Sequence, residues 1–269
     1  MPGPCERRLL LFTKPARAGR VKTRLIGDLT AAQAAALHAA FLADLLDRLE
    51  GGDFGLRLAW ALEPHDPDAA DNELPAGPVP GVRQRGGDLG ERLYNALAEA
   101  AAEARAVAAL GSDHPTLPLA VVHRAFELVE AGADAVLGPA EDGGYYLIAL
   151  AAGAVSPRLF AGIAWSTAQV FPATVERCRE LGLRLALLPR AADVDTPDDL
   201  RRLAAAMAGG DLGCPRTREL LLAWGRIPGA PAEEVPAPFG SEDLRLAASG
   251  PKEQARRTKR SRDRRGTRR

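Results

Sequence analysis

The stretch "RLLLFTKPARAGRVKTRL", Arg8 to Leu25, opens with an apolar run of strand length. It then breaks into a Gly/Pro-interrupted loop with five basic side chains, Lys14, Arg17, Arg20, Lys22 and Arg24, and no acid. The next segment, "LTAAQAAALHAAFLADLLDRLE", repeats apolar residues at spacing four (Leu37, Phe41, Leu45, Leu49) behind a cap candidate at Thr30 and stops at "GG". That spacing predicts a core-facing helix, with His38 on its outer surface. Strand, basic loop and helix in that order are the opening of a parallel α/β domain, and a βα loop of this composition suits phosphate. Free N–H groups gather at a helix start, and the cationic side chains supplement them. Neither GxxxxGK[ST] nor GxGxxG is present, so the cradle differs from both named phosphate loops.

The alternation continues. Strand-like runs fall at 8–13, 55–62, 106–111, 134–140 and 183–189, and "YYLIAL" forms a further one. Between and after them lie helical stretches, "LGERLYNALAEAAAEA", "PLAVVHRAFELVEAG", "TAQVFPATVERCRELG" (Pro172 marking a kink or the true start) and "TPDDLRRLAAAMAGG" with Thr196 as cap and Pro197 at the first helical position. This pattern predicts an α/β fold with a mainly parallel sheet. "RTRELLLAWGRI" reads as one more helix. The division expected is a main α/β domain over 1–208, a helical extension over 209–232, and a linker with a basic tail over 233–269.

Composition bounds the possibilities. With 269 residues, 46% apolar and 26% charged, the chain is long enough to bury a real core. No apolar run reaches the roughly 18 residues of a membrane helix, and "MPGPCERR" lacks the apolar segment of a secretory signal, so no membrane span and a cytoplasmic location are expected. Cys5, Cys178 and Cys214 suggest neither a disulfide framework nor a zinc site. The formal net charge of zero hides an acidic body and a basic tail, since residues 251–269 hold ten Lys/Arg against two acids. With nothing apolar to bury, the tail is expected to be disordered, and nucleic acid is expected as a partner only through it.

In open α/β sheets ligands sit at the carboxyl ends of the strands. At one such end stands "GSDHPTLP", where Asp113 is placed to hold a hard divalent cation, or else to cap the following helix. His114 beside it is solitary. "GPAEDGGYYLIAL" puts Glu141 and Asp142 before a Gly pair, either to orient or deprotonate an acceptor hydroxyl or simply to make a hairpin turn. "AADVDTPDDL" places Asp193 and Asp195 just before a capped helix. Two acidic strand ends and one basic strand end on the same face make a metal-bridged diphosphate site.

The combination "FTKPARAGRVKTRL", "RGGDLGERLYNAL", "GSDHPTL", "DGGYYLIAL", "WST" and "DVDTPDDL", over roughly residues 8–205, resembles a bacterial family of GT-A-fold transferases known as glycosyltransferases of unassigned function. That family is similar to the phospholactate and molybdenum-cofactor guanylyltransferases. The resemblance implies a three-layer α/β/α fold of the nucleotide-diphospho-sugar transferase type with a mixed, mostly parallel sheet. It implies Lys14, Arg20, Lys22 and Arg24 on phosphates, Gly86, Gly87 and Arg92 against the nucleobase or its sugar, and Mg²⁺ or Mn²⁺ on Asp113 with Asp195 as second ligand. Asp113 and Asp142 are the candidate catalytic residues. The substrates implied are a nucleotide sugar or nucleoside triphosphate and a small acceptor. The expected activity is glycosyl transfer; the alternatives are nucleotidyl transfer with release of pyrophosphate, for which the Gly-poor "KPARAGR" is less suited, and a non-catalytic nucleotide-binding module.

Overall fold

The computed structural model describes residues 6–62, 74–75 and 79–228. The tail over 251–269 and the linker before it lie outside the described residues. Seven strands form one sheet: β1 (Arg7–Thr13), β2 (Gly55–Trp60), β3 (Gly81–Arg83), β4 (Ala106–Gly111), β5 (Ala135–Pro139), β6 (Tyr145–Ala151) and β7 (Leu185–Leu187). Their spatial order is β3-β2-β1-β4-β6-β5-β7, and only β6 runs against its neighbours. The reason is local. The short "AEDGG" connection cannot carry the chain back to the far end of the sheet, so β6 must fold antiparallel on β5, whereas parallel neighbours need a crossover. Strand β3 is too short to show a period of its own, and the sequence pattern does not reveal it.

Helices cover both faces, which is why β1, β4, β5 and β6 read as near-continuous apolar runs. On one face α1 (Ala31–Leu49) and α3 (Leu119–Glu130) bury Leu45, Leu49, Val122 and Phe126 against Leu9, Leu11 and Ala108. On the other, α2 (Leu89–Ala101), α4 (Pro157–Phe160) and α5 (Val170–Glu180) bury Leu93, Leu97, Phe160 and Cys178 against Leu10, Val107 and Ile148. The two remaining helices, α6 (Pro197–Gly209) and α7 (Pro215–Ala223), join the far side of α1, where Leu37 and Phe41 meet Leu200, Met207 and Leu221. Burying each such side chain is worth roughly 1.5–3 kcal/mol, so α1, apolar on two sides, anchors the whole face.

Several caps form as the sequence implies. Thr30 with Gln33 and Thr196 with Asp199 are reciprocal capping boxes, Pro197 begins α6, and Asp88 accepts from Glu91 N. One cap comes from a distance. The Asp44 carboxylate on α1, 1% exposed, accepts from the backbone N–H of Arg216 at 3.1 Å and Thr217 at 2.9 Å, in the first turn of α7, whose own N-cap Cys214 supplies no side-chain bond. Asp44→Ala is expected to lower stability by about 2 kcal/mol through loss of that cap, measured as a shift of the denaturant midpoint. No described helix is long and apolar enough to cross a membrane.

His38 departs from expectation. It is 4% exposed rather than on the outer face, because its side of α1 packs on the end of β1 and the start of the basic loop. Its Nε2 lies 3.0 Å from the Lys14 carbonyl and 3.2 Å from Thr13 Oγ1. A carbonyl only accepts, so Nε2 carries the proton and ties α1 to the start of the basic loop. Burial keeps this imidazole neutral, below its ordinary range.

Candidate active site

The carboxyl ends of β1, β4 and β5 open into a cleft of about 700 Å³, lined by the basic loop, the "GSDH" segment, the "EDGG" turn, the Trp165–Ala168 segment and the "DVD" segment. Its volume is that of a small-molecule site. Lys14, Arg20, Lys22, Arg24, Arg92, Asp113, Asp142 and Asp195 all line it, so the topology brings these expected site residues together.

At its floor sits Lys22. The ammonium is 2.5 Å from Asp113 Oδ1, 2.9 Å from Asp195 Oδ1 and 2.8 Å from the Val194 carbonyl. Its three donors, expected on phosphate, are thus directed at protein oxygens, and the side chain is 2% exposed. Burial alone would lower its proton affinity, but the two carboxylates more than reverse this, and Lys22 stays charged. Asp113 answers in kind. Burial pushes its carboxyl up, yet Lys22 brings it below the ordinary carboxylate range. Lys22 adopts φ 47°, ψ 39°, a left-handed conformation that costs a side-chain-bearing residue of order 1 kcal/mol or more. Phe41 of α1 lies 5.4 Å beneath the ammonium. The capping alternative for Asp113 does not hold, since the residue before α3 is Pro118.

Around this floor the charges divide. Lys14 and Arg20 make no ion pair among the described residues, and Arg24, 67% exposed, reaches Asp195 only at 3.8 Å. Arg92 Nε donates to the Gly86 carbonyl at 3.2 Å, folding the "RGGD" turn onto α2. Gly86 has φ 144°, and a Cβ there would lie 2.8 Å from Arg92 N, so no other residue fits. Neither Gly86 nor Gly87 is among the cleft-lining residues; Gln84 and Leu89 flank them there. At the opposite end, "EDGG" is indeed the β5–β6 turn. Asp142 Oδ1 accepts from Gly144 N at 2.8 Å while Asp142 faces the cleft, so the turn and the functional readings coexist. Asp193, a cleft residue the sequence left without a role, has its carboxyl pushed up to about 6, by burial first and then by Asp142 and Asp195. Trp165 and Ser166 complete that wall. No periodicity marks them, because they lie on a loop.

His114 is 5% exposed, its ring 5.2 Å from that of Tyr146, with neither nitrogen hydrogen-bonded among the described residues. Burial lowers its pKa to about 4 from the ordinary 6.5. The stability this confers is present above pH 6.5 and is lost as pH falls through about 4, because the unfolded chain then binds the extra proton. The loss near pH 4 is roughly 3 kcal/mol. Asp193 works in the opposite sense over a similar window, so the measurement is a difference: between pH 7 and 4, wild type should lose about 3 kcal/mol more than His114→Phe in urea titrations.

An α/β/α sandwich with one antiparallel strand inside a parallel sheet, and a charged cleft over the strand ends, defines a nucleotide-diphospho-sugar transferase fold. The chain matches a solved structure of a candidate nucleotide-diphospho-sugar transferase from Desulfovibrio desulfuricans G20 with a TM-score of 0.73 and 31% identity, over 82% of this chain and 96% of that one. It belongs to the same family as that protein. Residues 46–167 match the family model described as "Uncharacterized protein conserved in bacteria (DUF2064)". A cytidylyltransferase from Leptospira borgpetersenii serovar Hardjo-bovis (strain JB197) shares the fold at a TM-score of 0.50 and 12% identity, over 85% of this chain and 99% of that one. No curated protein matches the sequence.

Proposed function

We propose that the protein transfers a sugar from a nucleoside diphosphate sugar to a small hydroxyl acceptor, with Mg²⁺ or Mn²⁺. The observation that carries this reading is the pair Asp113 and Asp195, from two different strand ends, held around one buried cation beneath a cleft that is basic at one end and acidic at the other.

The donor set fits a hard divalent ion, since Asp113 and Asp195 offer only oxygen and Lys22 engages Oδ1 of each, leaving Oδ2 of each to an ion. No group of three His, Cys, Asp or Glu forms a cage among the described residues, which suits an ion that takes its remaining ligands from water and phosphate. Bound there, it would offset charge on the departing nucleoside diphosphate. Lys14, Arg20 and Arg24 reinforce this from the basic end. Lys22 holds the two carboxylates in place. The base and its sugar would lie toward Gln84 and Arg92, beside the Gly86–Gly87 turn. In transfer with inversion, the acceptor oxygen bonds to the anomeric carbon as that carbon's bond to the phosphate oxygen breaks. Asp142 takes the hydroxyl proton on Oδ2, its Oδ1 being held by Gly144 N.

The basic loop favours sugar transfer over nucleotidyl transfer. A triphosphate needs backbone donors wrapped round it, but Arg17 N is spent on the Pro15 carbonyl at 2.8 Å and Arg20 N on the Arg17 carbonyl at 3.0 Å. The test offers nucleotide sugars and nucleoside triphosphates with Mg²⁺ and a pool of acceptors, and identifies the leaving group. Nucleoside diphosphate released from a nucleotide sugar is the expected product; pyrophosphate from a triphosphate overturns the reading.

A further inference from the structure

The cleft's acidic end and its Trp165 wall have chemistry of their own. Trp165 and Ser166 sit on a loop that is fastened on three sides. Thr167 Oγ1 donates to the Ala164 carbonyl at 2.6 Å and accepts from Gln169 N, closing the loop on itself. Phe171 N donates to the Gly143 carbonyl at 2.9 Å, tying the loop's end to the turn that carries Asp142. The indole itself lies against the start of α2 at Gly90. A Cβ at Gly90 would come within 2.5 Å of Trp165 Nε1, so the missing side chain is what seats the ring. Tyr145 meets it edge-on, with centroids 6.4 Å apart.

Ser166, at φ 63°, is with Lys22 one of two non-glycine residues of positive φ among the described residues, and both line the cleft. A conformation of that kind persists only where the surroundings impose it, and such residues gather at ligand clamps. Leu89, next to Gly90 and also facing the cleft, leaves 40% of its surface exposed. Leu89 and Trp165 thus give the cleft an apolar wall.

The loop that carries Trp165 is tied to the acidic turn of the cleft, Phe171 N donating to the Gly143 carbonyl. Asp142 and Asp193 line this end, whereas Lys14, Arg20, Arg24 and Arg92 belong to the basic loop and the "RGGD" side. The cations nearest the acidic end are engaged elsewhere: Arg202 bridges Asp199 at 2.6 Å and Glu141 at 3.4 Å, and Arg190 reaches the Ala140 carbonyl at 3.4 Å. An acceptor bearing phosphate or carboxylate would meet two carboxylates there, and Arg92, the cleft cation on the wall's own helix, has its Nε turned to the Gly86 carbonyl.

We infer that the acceptor subsite takes an uncharged hydroxyl compound with a flat apolar face, seated on Trp165 with its hydroxyl toward Asp142. This rests on reading the basic half as the donor half. Both a saccharide ring, through its C–H face, and an aromatic alcohol offer that chemistry.

The test is binding to the full-length protein, with Mg²⁺ and inorganic pyrophosphate present to fill the basic half. Methyl β-glucoside, 4-methylphenol and glucose 6-phosphate are titrated by saturation-transfer NMR. At least one neutral probe should bind about tenfold more tightly than glucose 6-phosphate, and which one does so identifies the source of the ring. Trp165→Ala should lose at least about tenfold in that affinity, and Gly90→Ala should weaken it similarly by displacing the indole, while Trp165→Phe keeps most of it. Asp142→Asn should narrow the discrimination against the phosphate ester. The inference is overturned by glucose 6-phosphate binding as well as the neutral probes, by no saturable binding of either neutral probe, or by a folded Trp165→Ala that binds like wild type. None of these readouts depends on the leaving group, so the result stands apart from the pyrophosphate test of the proposed reaction.

Discussion

Asp113→Asn is expected to fold, to keep most of its melting temperature, and to transfer sugar roughly a thousandfold more slowly, or worse, than wild type. The carboxylate is the closer of the two to Lys22 and stands at the end of the central strand β4, where the sheet order places it next to the basic loop after β1. Its amide replacement keeps the volume and accepts from Lys22 through the amide oxygen, so the fold is retained. What goes is one negative charge from the set that would hold a divalent ion. The effect should therefore appear first in binding: calorimetry of Mg²⁺ with a nucleoside diphosphate should show metal-dependent affinity in wild type and not in the variant. Equal nucleotide affinity with and without Mg²⁺ in wild type would remove the metal from the site.

Lys22→Met carries the largest expected effect on stability. Without the ammonium, the Asp113 and Asp195 side chains, 43% and 31% exposed, face each other uncompensated, and because water screens them in part the cost is about 2–3 kcal/mol, below that of a fully buried pair. In a chain this long that is a fall in melting temperature of about 5–8 °C. Two controls give the prediction its meaning. Divalent cation should recover a large part of the loss in the variant, because it takes the place of the missing charge between the same oxygens. Acid should recover it as well. In wild type the depressed Asp113 contributes stability above its ordinary value that is lost as pH falls through its folded one, whereas in the variant protonation relieves repulsion, so the gap narrows toward pH 4. A variant that melts like wild type, or that ignores Mg²⁺ and Mn²⁺ alike, would show that Lys22 is a surface cation and the two carboxylates are no metal site.

The parts of this protein legible in its sequence are those with a local cause. Thr30, Asp88 and Thr196 cap because their own side chains reach N–H groups three residues on, and Leu37, Phe41, Leu45 and Leu49 are buried because a helix returns every fourth residue near the same face, drifting here from the α6–α7 side to the sheet side. The alternation of strand and helix is enough to call for a parallel α/β sheet with its ligands at the strand ends, whereas the composition of the acid-free loop after β1 suits an anion site and a solvated basic loop equally. His38 was misplaced for the complementary reason. The spacing of Leu37 and Phe41 marks the side of α1 that α6 and α7 cover, and it cannot show that the stripe carrying His38 and Leu42 lies against the sheet and the end of β1.

What only the tertiary structure decided is who meets whom at the strand ends. Lys22, Asp113 and Asp195 stand far apart along the chain, and nothing in the residues around each of them specifies the others. They meet because β1 and β4 are neighbours, and because the Asp113 carbonyl accepts from Val194 N, holding the "DVD" segment against the end of β4. The same holds for Trp165, placed by a glycine on another helix, and for Asp44, which caps a helix that follows it only after the whole sheet has been built. Local sequence encodes backbone conformation through interactions within a few residues. A site made of loop ends depends on sheet order, and sheet order is set by how all the apolar faces are buried together.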